Sequence, residues 1–165
     1  MPRDEPAFGE LIELYTNTAV IQAQRIPVMK KDRQLHLVNI TIAPLVDRVA
    51  NFDQKITLQL GESAMAYVAA GLMGLKKNLK VDGTRAPNAT EAKVLYLNNN
   101  DDETTNISLS SLKGQQQKMT RSITFKYQER YPLLRIIASQ LTKNSVGYEQ
   151  TIADTLNLIR GSYMK

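Results

Sequence analysis

The feature that most constrains the fold of this chain is a strand-into-helix unit that occurs twice, 67 residues apart. The first copy runs from Ile56 to Leu75 and the second from Ile123 to Leu141. Each begins with alternating apolar and polar residues and continues with apolar residues three or four positions apart. Two or three further alternating segments precede each copy. Because these two periods are typical of strands and helices, the sequence predicts an α+β protein of two halves, each an antiparallel sheet followed by a helix (ββββα repeated).

The 165 residues are expected to form a single domain. The two halves cover about residues 18–81 and 92–143, and a loop with Gly, Pro and Asn at 82–91 divides them. Apolar residues at helical spacing predict an N-terminal arm with a short helix within residues 1–17. A further amphipathic helix is expected over residues 146–163.

The composition offers few parts for an enzyme. The chain has no cysteine, a single histidine at His36, no glycine-rich phosphate loop and no G-x-S-x-G elbow. His36 lies in a predicted strand and is interpreted as an ordinary sheet residue rather than one that stacks on a base or titrates. The acidic run Asp101-Asp102-Glu103 is interpreted as a solvated turn rather than a cation site. We therefore expect no catalysis, no cofactor and no metal.

Hydropathy argues against a membrane protein, because no run approaches the roughly 20 apolar residues that a membrane-spanning helix needs. The first five residues are partly acidic and lack the apolar core of a signal peptide. We therefore expect a protein that is not secreted and lies in the cytoplasm, associated with the nucleoid if its source is bacterial.

Positive charge is in excess and segregated. The net charge is +5, and residues 104–148 contain seven basic residues against the single acid Glu129. A second basic cluster lies at residues 30–33, between two predicted strands. Segregation of this kind favours a polyanionic partner. The alternative interpretation is a basic surface that serves solubility alone.

The predicted strands carry Lys, Thr, Ser, Asn and Gln on one face and apolar residues on the other. Such side chains can bind phosphates and base edges, although a plain solvated face has the same composition. Tyr96 and Phe52 are candidates for stacking on bases, or else for packing. The residues predicted to contact nucleic acid are Lys30, Lys31, Arg33, Lys55, Thr57, Gln59, Lys93, Tyr96, Lys113, Lys118, Arg121, Thr124 and Lys126.

Several segments carry a resemblance to a known family. Residues 37–44 form an apolar strand ending in Ala-Pro, and residues 52–60 look like a Tyr-Asp-Trp strand that leads directly into a helix. Residues 93–97 with 106–110 resemble the next hairpin, and residues 123–141 the final strand and helix. In these features the chain resembles the Whirly family of single-stranded DNA-binding proteins, and the wider fold group of coactivator-like and mitochondrial guide-RNA-binding proteins.

The resemblance covers roughly residues 18–143 as a pattern of elements, with departures. The family's lysine-glycine-lysine signature on the first strand is missing, Gln54 stands in place of the tryptophan, and residues 146–163 add a helix. The resemblance implies two sheets, back to back or side by side, and a tetramer with helices at its centre. The C-terminal residues Tyr148, Ile152, Leu156 and Ile159 could bury against another subunit or cap their own domain.

These observations together predict a non-catalytic single-stranded DNA-binding protein, largely independent of sequence, that forms a homo-oligomer. Two alternatives stay open. One is an RNA-binding or RNA-annealing protein of the same fold, and the other is an assembly protein whose basic face meets an acidic protein partner.

Overall fold

The computed structural model of the chain describes residues 9–113, 116–145 and 149–163, with two antiparallel sheets and three helices. The elements of the first half are β1 (Leu11–Tyr15), β2 (Ala19–Lys30), β3 (Arg33–Val46), β4 (Val49–Ala50), β5 (Ile56–Leu60) and α1 (Glu62–Leu72). Those of the second half are β6 (Asn78–Asp82), β7 (Glu91–Asn99), β8 (Thr104–Lys113), β9 (Gln116–Lys126) and α2 (Tyr131–Lys143). The last helix is α3 (Ile152–Tyr163), and short 3-10 helices at Phe52–Gln54 and Tyr127–Arg130 precede β5 and α2.

Both sheets are meanders of successive antiparallel strands. Sheet 1 has the order β1-β2-β3-β5, with the two-residue β4 paired to the end of β3, and sheet 2 has the order β6-β7-β8-β9. The predicted class, two sheet-plus-helix halves with an extra C-terminal helix, is confirmed. The boundary between the halves differs, however. Because residues 78–82 pair with β7, they belong to the second half, and the halves meet between α1 and β6 rather than at residues 82–91.

The predicted N-terminal helix is wrong. Leu11 to Tyr15 form β1, paired antiparallel with Val20 to Gln24 of β2. In this strand Ile12 and Leu14 pack against the core, while Leu11 and Tyr15 are exposed on the other face. The apolar spacing fits both periods, and backbone pairing with β2 favours the strand. Residues 1–8 and Tyr148 lie outside the described residues.

The chain that leads into strand β5 of sheet 1 contacts sheet 2. Lys93 of β7 donates from Nζ to the Thr57 carbonyl at 2.7 Å, and Arg121 of β9 donates from Nε to the Gln54 carbonyl at 2.6 Å. The stretch from Gln54 to Thr57 is therefore bound to two strands of sheet 2. The expected arrangement of the sheets, back to back or side by side, stays a prediction.

Each helix docks on the sheet of the other half. A Cβ atom at Gly71 of α1 would lie 2.5 Å from Leu79 Cδ2 of sheet 2, so only glycine allows this approach. In turn, Gln140 of α2 donates from Nε2 to the Leu37 carbonyl of sheet 1 at 2.8 Å. Since both contacts are buried, the halves share one hydrophobic core and are expected to unfold together.

Helix α3 begins at Ile152, later than predicted, and caps its own domain. Thr151 and Asp154 satisfy each other's backbone N–H groups at its start. Ile159 is buried, and the ring of Tyr163 stacks on that of Tyr67 with 5.3 Å between centroids. No helix in the described part of the chain is long and apolar enough to span a membrane.

Candidate nucleic-acid interface

The outer face of sheet 2 is a polar surface, which we call the platform. Its central row crosses all four strands, because Lys80 pairs with Tyr96, Tyr96 with Ser108, and Ser108 with Ser122. A second row lies beside it on the same face, and Lys126 extends the face at the end of β9. The platform comprises Asn78, Lys80, Tyr96, Asn98, Asn106, Ser108, Ser122, Thr124 and Lys126.

The platform rows are accessible because α1 and the chain before β5 pack on the other face of sheet 2. Nearer the β6–β7 connection, Val94 and Ser110 lie on the platform's side of the sheet and are buried. The residues that alternate with the platform are buried, among them Leu97, Ile107 and Ile123. Helix α1 docks on that inner face through Gly71, and the chain before β5 reaches it through Arg121. As a result the platform keeps Lys80, Ser122, Thr124 and Lys126 exposed.

The chemistry of the platform suits unpaired bases. The Tyr96 side chain is 37% exposed, and the Lys80 ammonium lies 6.0 Å from the centroid of its ring. Next to it, Asn106 Nδ2 donates to Thr124 Oγ1 at 2.9 Å and Ser108 Oγ donates to Asn106 Oδ1 at 3.0 Å. These bonds fix amide and hydroxyl groups around a ring that is free to stack.

Cations lie at both edges of the platform, with Lys80 on β6 and Lys126 on β9. Three strand spacings separate these edges, about 14 Å. One acid, Asp82, shares the face at the far end of β6. The acidic run at residues 101–103 lies in an exposed turn, as predicted, where Asp102 accepts a hydrogen bond from the Thr104 amide at 3.2 Å.

The structure places the predicted contact residues in several regions. Tyr96, Thr124 and Lys126 lie on the platform. Thr57 and Gln59 lie on the polar outer face of sheet 1, where Thr57 and Thr41 share a hydrogen bond between their hydroxyls at 2.8 Å. Lys93 of β7 and Arg121 of β9 lie on the inner face of sheet 2. The remaining predicted residues are Lys55 before β5, Lys30, Lys31 and Arg33 at the β2–β3 hairpin, Lys113 at the end of β8, and Lys118 within β9, whose side chain lies outside the described part.

Three of the predicted cations bind backbone carbonyls of the chain itself. Lys93 and Arg121 hold the Thr57 and Gln54 carbonyls, as described above. Arg33 donates from Nη2 to the Asn144 carbonyl at 2.5 Å, at the C-terminus of α2, where a helix favours positive charge. All three partners are distant in the sequence, so these cations join elements of the fold.

His36 serves the packing of α2 through its backbone. Its amide donates to Asn144 Oδ1 at 2.6 Å, and its carbonyl accepts from Asn144 Nδ2 at 2.9 Å. Burial lowers the pKa of the His36 ring below its ordinary value, and the charge of Lys143 lowers it further. The ring is therefore neutral at pH 7. Within the described residues, no group of three or more His, Cys, Asp or Glu side chains could hold a metal ion.

Sequence reasoning missed two basic residues. Lys80 alternates with the buried Leu79 and Val81, and that period-two pattern could have placed it on the platform. Arg85 lies in the β6–β7 connection, where no periodic pattern indicates its position. Of the two stacking candidates, Tyr96 is on the platform, whereas Phe52 lies in the 3-10 helix before β5 of sheet 1.

No protein-family model matches the chain, and no curated protein matches it. Among solved structures, one match is a guide-RNA-binding protein complex bound to a guide RNA, with a TM-score of 0.43 and 13% sequence identity. The match covers 89% of this chain and 88% of that chain. Membership of the Whirly family therefore stays a prediction.

Proposed function

We propose that this protein binds single-stranded nucleic acid through the platform and catalyses no reaction on it. The observation that carries the proposal is the central row of sheet 2, in which Lys80, Tyr96, Ser108 and Ser122 lie side by side on an open face. A ring that can stack on a base, flanked by a cation and hydroxyls, is the combination typical of single-strand binding surfaces.

Each part of the platform has a role in this proposal. An unpaired base stacks on Tyr96, which contributes about 1–3 kcal/mol per base. Lys80 and Lys126 attract phosphates on either side of the stacked base, and the amide of Asn98 reaches base edges. Because every base has a flat face, such binding tolerates most sequences. A duplex keeps its bases stacked internally and offers the platform only its backbone.

We propose DNA as the preferred strand on the basis of the Whirly resemblance of the sequence. The alternative is an RNA-binding or RNA-annealing protein that uses the same platform. A ribose 2′-hydroxyl, which both donates and accepts, is the group that distinguishes the two.

The proposal includes a homo-oligomer, with a tetramer favoured. Its support in the structure is apolar surface on the helices, since Tyr131 of α2 and Leu158 of α3 are 66% and 62% exposed. Contact with another subunit would remove these two side chains from water. Light scattering tests this directly: a mass four times that of the chain supports the tetramer, and a monomer at micromolar concentration contradicts it.

The binding proposal is tested by fluorescence anisotropy with a labelled 12-nucleotide DNA, the RNA of the same sequence, and the DNA duplex. We expect the single strand to bind best, with an affinity that falls steeply with salt, since each neutralised phosphate contributes about 0.7 to the log–log slope. Equal affinity for the duplex, or no binding at low salt, contradicts the proposal. The latter result would favour the acidic protein partner instead.

A further inference from the structure

We infer that a cavity on sheet 1 binds one nucleotide of the strand, holding its base edge at Asn39 and its phosphate at Arg85 and Lys93. The inference rests on the proposed function and adds a second, concave contact to the open platform. The cavity, which we call the corner cavity, has a volume of about 580 Å³ and is lined by Asn39, Thr57, Gln59, Thr84, Arg85 and Lys93, among others. This volume falls in the range of small-molecule sites, about 300–1,000 Å³.

The corner cavity is formed by ordered elements. Its floor is the outer face of sheet 1, where Asn39 pairs with Gln59. Its wall is the β6–β7 connection, in which Thr84 donates from its amide to the Gln59 carbonyl at 2.9 Å and from Oγ1 to Gln59 Oε1 at 2.7 Å. Arg85 donates from Nη2 to the Ala89 carbonyl at 3.0 Å, which holds the connection in its bend.

Gly83 explains why the connection can lie so close to β5. A Cβ atom at Gly83 would be 2.8 Å from Leu58 Cγ and 3.2 Å from Leu58 Cδ1. Since Leu58 is fully buried, it cannot move aside easily. A larger residue at position 83 would push the wall away from the floor, and the width of the cavity therefore depends on this glycine.

The strongest indication of a ligand is an unsatisfied acceptor in the cavity lining. Asn39 Oδ1 is buried and has no hydrogen-bond partner among the described residues. An acceptor left in this state is costly. The oxygen itself contacts no solvent, so it reaches a ligand when the Asn39 amide turns about its last side-chain torsion, and an N–H group of the ligand then relieves the cost. Each of the four bases carries such a donor on its Watson–Crick edge. That edge is available only when the base is unpaired, which restricts the cavity to single strands.

The other end of the ligand meets positive charge. Lys93 uses one of its three N–H donors on the Thr57 carbonyl, and Arg85 uses its Nη2 on Ala89. Both keep donors for a phosphate, the anion that lysine and arginine bind most readily. Glu91 also lines the cavity, where it accepts a hydrogen bond from Ser111 Oγ at 3.3 Å.

A second cavity adjoins the first, which favours a strand over a free nucleotide. It has a volume of about 660 Å³ and shares Gln59, Thr84 and Arg85 with the first. It extends to the β2–β3 hairpin, where Lys30, Lys31 and Arg33 line it together with apolar residues and the acid Glu62. The side chains that line the two cavities include most of the predicted contact residues that are not on the platform.

The test uses Asn39→Ala and Arg85→Ala, with Asn157→Ala and Arg160→Ala on exposed positions of α3 as matched controls. Affinity is measured for a 12-nucleotide strand and for an abasic strand of the same length, which has phosphates but no bases. We expect Asn39→Ala to weaken binding of the normal strand about fivefold to tenfold and to leave binding of the abasic strand unchanged. Arg85→Ala should weaken binding of both strands and lower the salt slope by about 0.7.

Thermal unfolding separates ligand binding from a structural role. If the Asn39 side chain stabilised the fold, Asn39→Ala would lower the melting temperature. Because its amide oxygen is unsatisfied, we expect the substitution to leave the melting temperature unchanged or to raise it. Gly83→Ala provides a second variant, which should narrow or displace the cavity and weaken binding of the normal strand more than that of the abasic strand.

Three results would overturn the inference. If both Asn39→Ala and Arg85→Ala bound with wild-type affinity, the cavity would not be part of the binding surface, and the proposal for the platform would be unaffected. Equal weakening by Asn39→Ala for normal and abasic strands would show that this residue contacts no base. Saturable binding of a free mononucleotide by a protein that does not bind the 12-nucleotide strand would overturn both this inference and the proposed function.

Discussion

Thr57 and Thr124 occupy the same position in the two copies of the strand-into-helix unit, but their surroundings differ. The Thr57 hydroxyl bonds to Thr41 at 2.8 Å in a half-buried site, and its carbonyl accepts from Lys93. Thr124 is exposed on the platform, where it accepts from Asn106. Similar local sequences therefore give one enclosed polar strand and one open polar strand.

The difference follows from how the halves pack rather than from the strands themselves. Strand β5 is the edge of sheet 1, and its free edge rests on the inner face of sheet 2, where Lys93 and Thr84 satisfy its carbonyls. This packing lies on the inner face of sheet 2, so the platform rows on its outer face stay accessible. Duplication of the unit thus provides two kinds of polar surface, the open platform and the concave corner cavity.

The largest effect is expected from a substitution that disrupts the packing between the two halves, on which both surfaces depend. Gly71→Ala places a Cβ 2.5 Å from Leu79 Cδ2, inside the contact between α1 and sheet 2. We expect a loss of about 1–3 kcal/mol in the free energy of unfolding. The control is Gly161→Ala in α3, where no atom lies within 4 Å of the added Cβ. Its higher helix propensity should stabilise the protein by up to about 1 kcal/mol. Urea unfolding measures both, and equal effects would contradict the close docking of α1 on sheet 2.

The next prediction sharpens the role of the open surface. Tyr96→Ala removes the exposed ring of the platform and should weaken binding of a single strand about tenfold, within the 1–3 kcal/mol that one stacked base contributes. Tyr15→Ala, which removes an exposed ring from β1, is the control and should bind as the wild type does. If the two variants bind equally, the platform is not a stacking surface.

A third prediction separates cations that hold the fold from cations that are free to bind. Arg121→Ala removes two hydrogen bonds of the guanidinium to Gln54 and should lower the free energy of unfolding by about 1–2 kcal/mol, with little change in affinity. Lys126→Ala should weaken binding of a single strand with little change in the free energy of unfolding, because its side chain is exposed on the platform. Anisotropy and urea unfolding on both variants give the four values. If Arg121→Ala were as stable as the wild type but bound more weakly, Arg121 would belong to the binding surface, and this prediction would be wrong.

The smallest expected effect concerns a carboxyl group next to sheet 1 and depends on pH. Glu10 accepts a hydrogen bond from Arg135 of α2, which lowers the pKa of its carboxyl below the usual value, and Arg25 lies 3.1 Å away. Because the pKa of Glu10 is lower in the folded state, its ionised carboxyl stabilises the fold at pH values above the unfolded-state pKa. This stabilisation is lost as the pH falls through the folded-state pKa. The group is exposed, so the contribution stays below about 1 kcal/mol. Glu10→Gln should therefore destabilise the protein at pH 7 and have no effect near pH 2, as measured by thermal unfolding.

Much of the fold follows from local patterns in the sequence. The alternation of Ile56, Leu58 and Leu60 correctly predicts which face of β5 is buried, and that of Ile123 and Phe125 does the same for β9. The error at residues 11–15 arises because Leu11, Ile12 and Tyr15 have helical spacing whereas Ile12 and Leu14 have strand spacing, and only the pairing with β2 decides between them.

The candidate site was less predictable, because it depends on contacts between distant residues. Lys93 and Arg121 are cations of the kind found on binding surfaces, but their carbonyl partners lie 36 and 67 residues away in sequence. The corner cavity likewise requires the β6–β7 connection to reach β5, which depends on the tertiary position of Gly83. A single sequence holds no direct signal of such approaches.

The central claim, that the platform binds single strands, is tested most directly by reversing its charge. Lys80→Glu with Lys126→Glu changes the net charge by as much as Arg48→Glu with Arg160→Glu, which alters exposed residues away from the platform. Anisotropy with a 12-nucleotide DNA should show a loss of about 30-fold or more and a salt slope lower by about 1.4 for the platform variant only. Equal losses in both double variants, or none in either, would contradict the account.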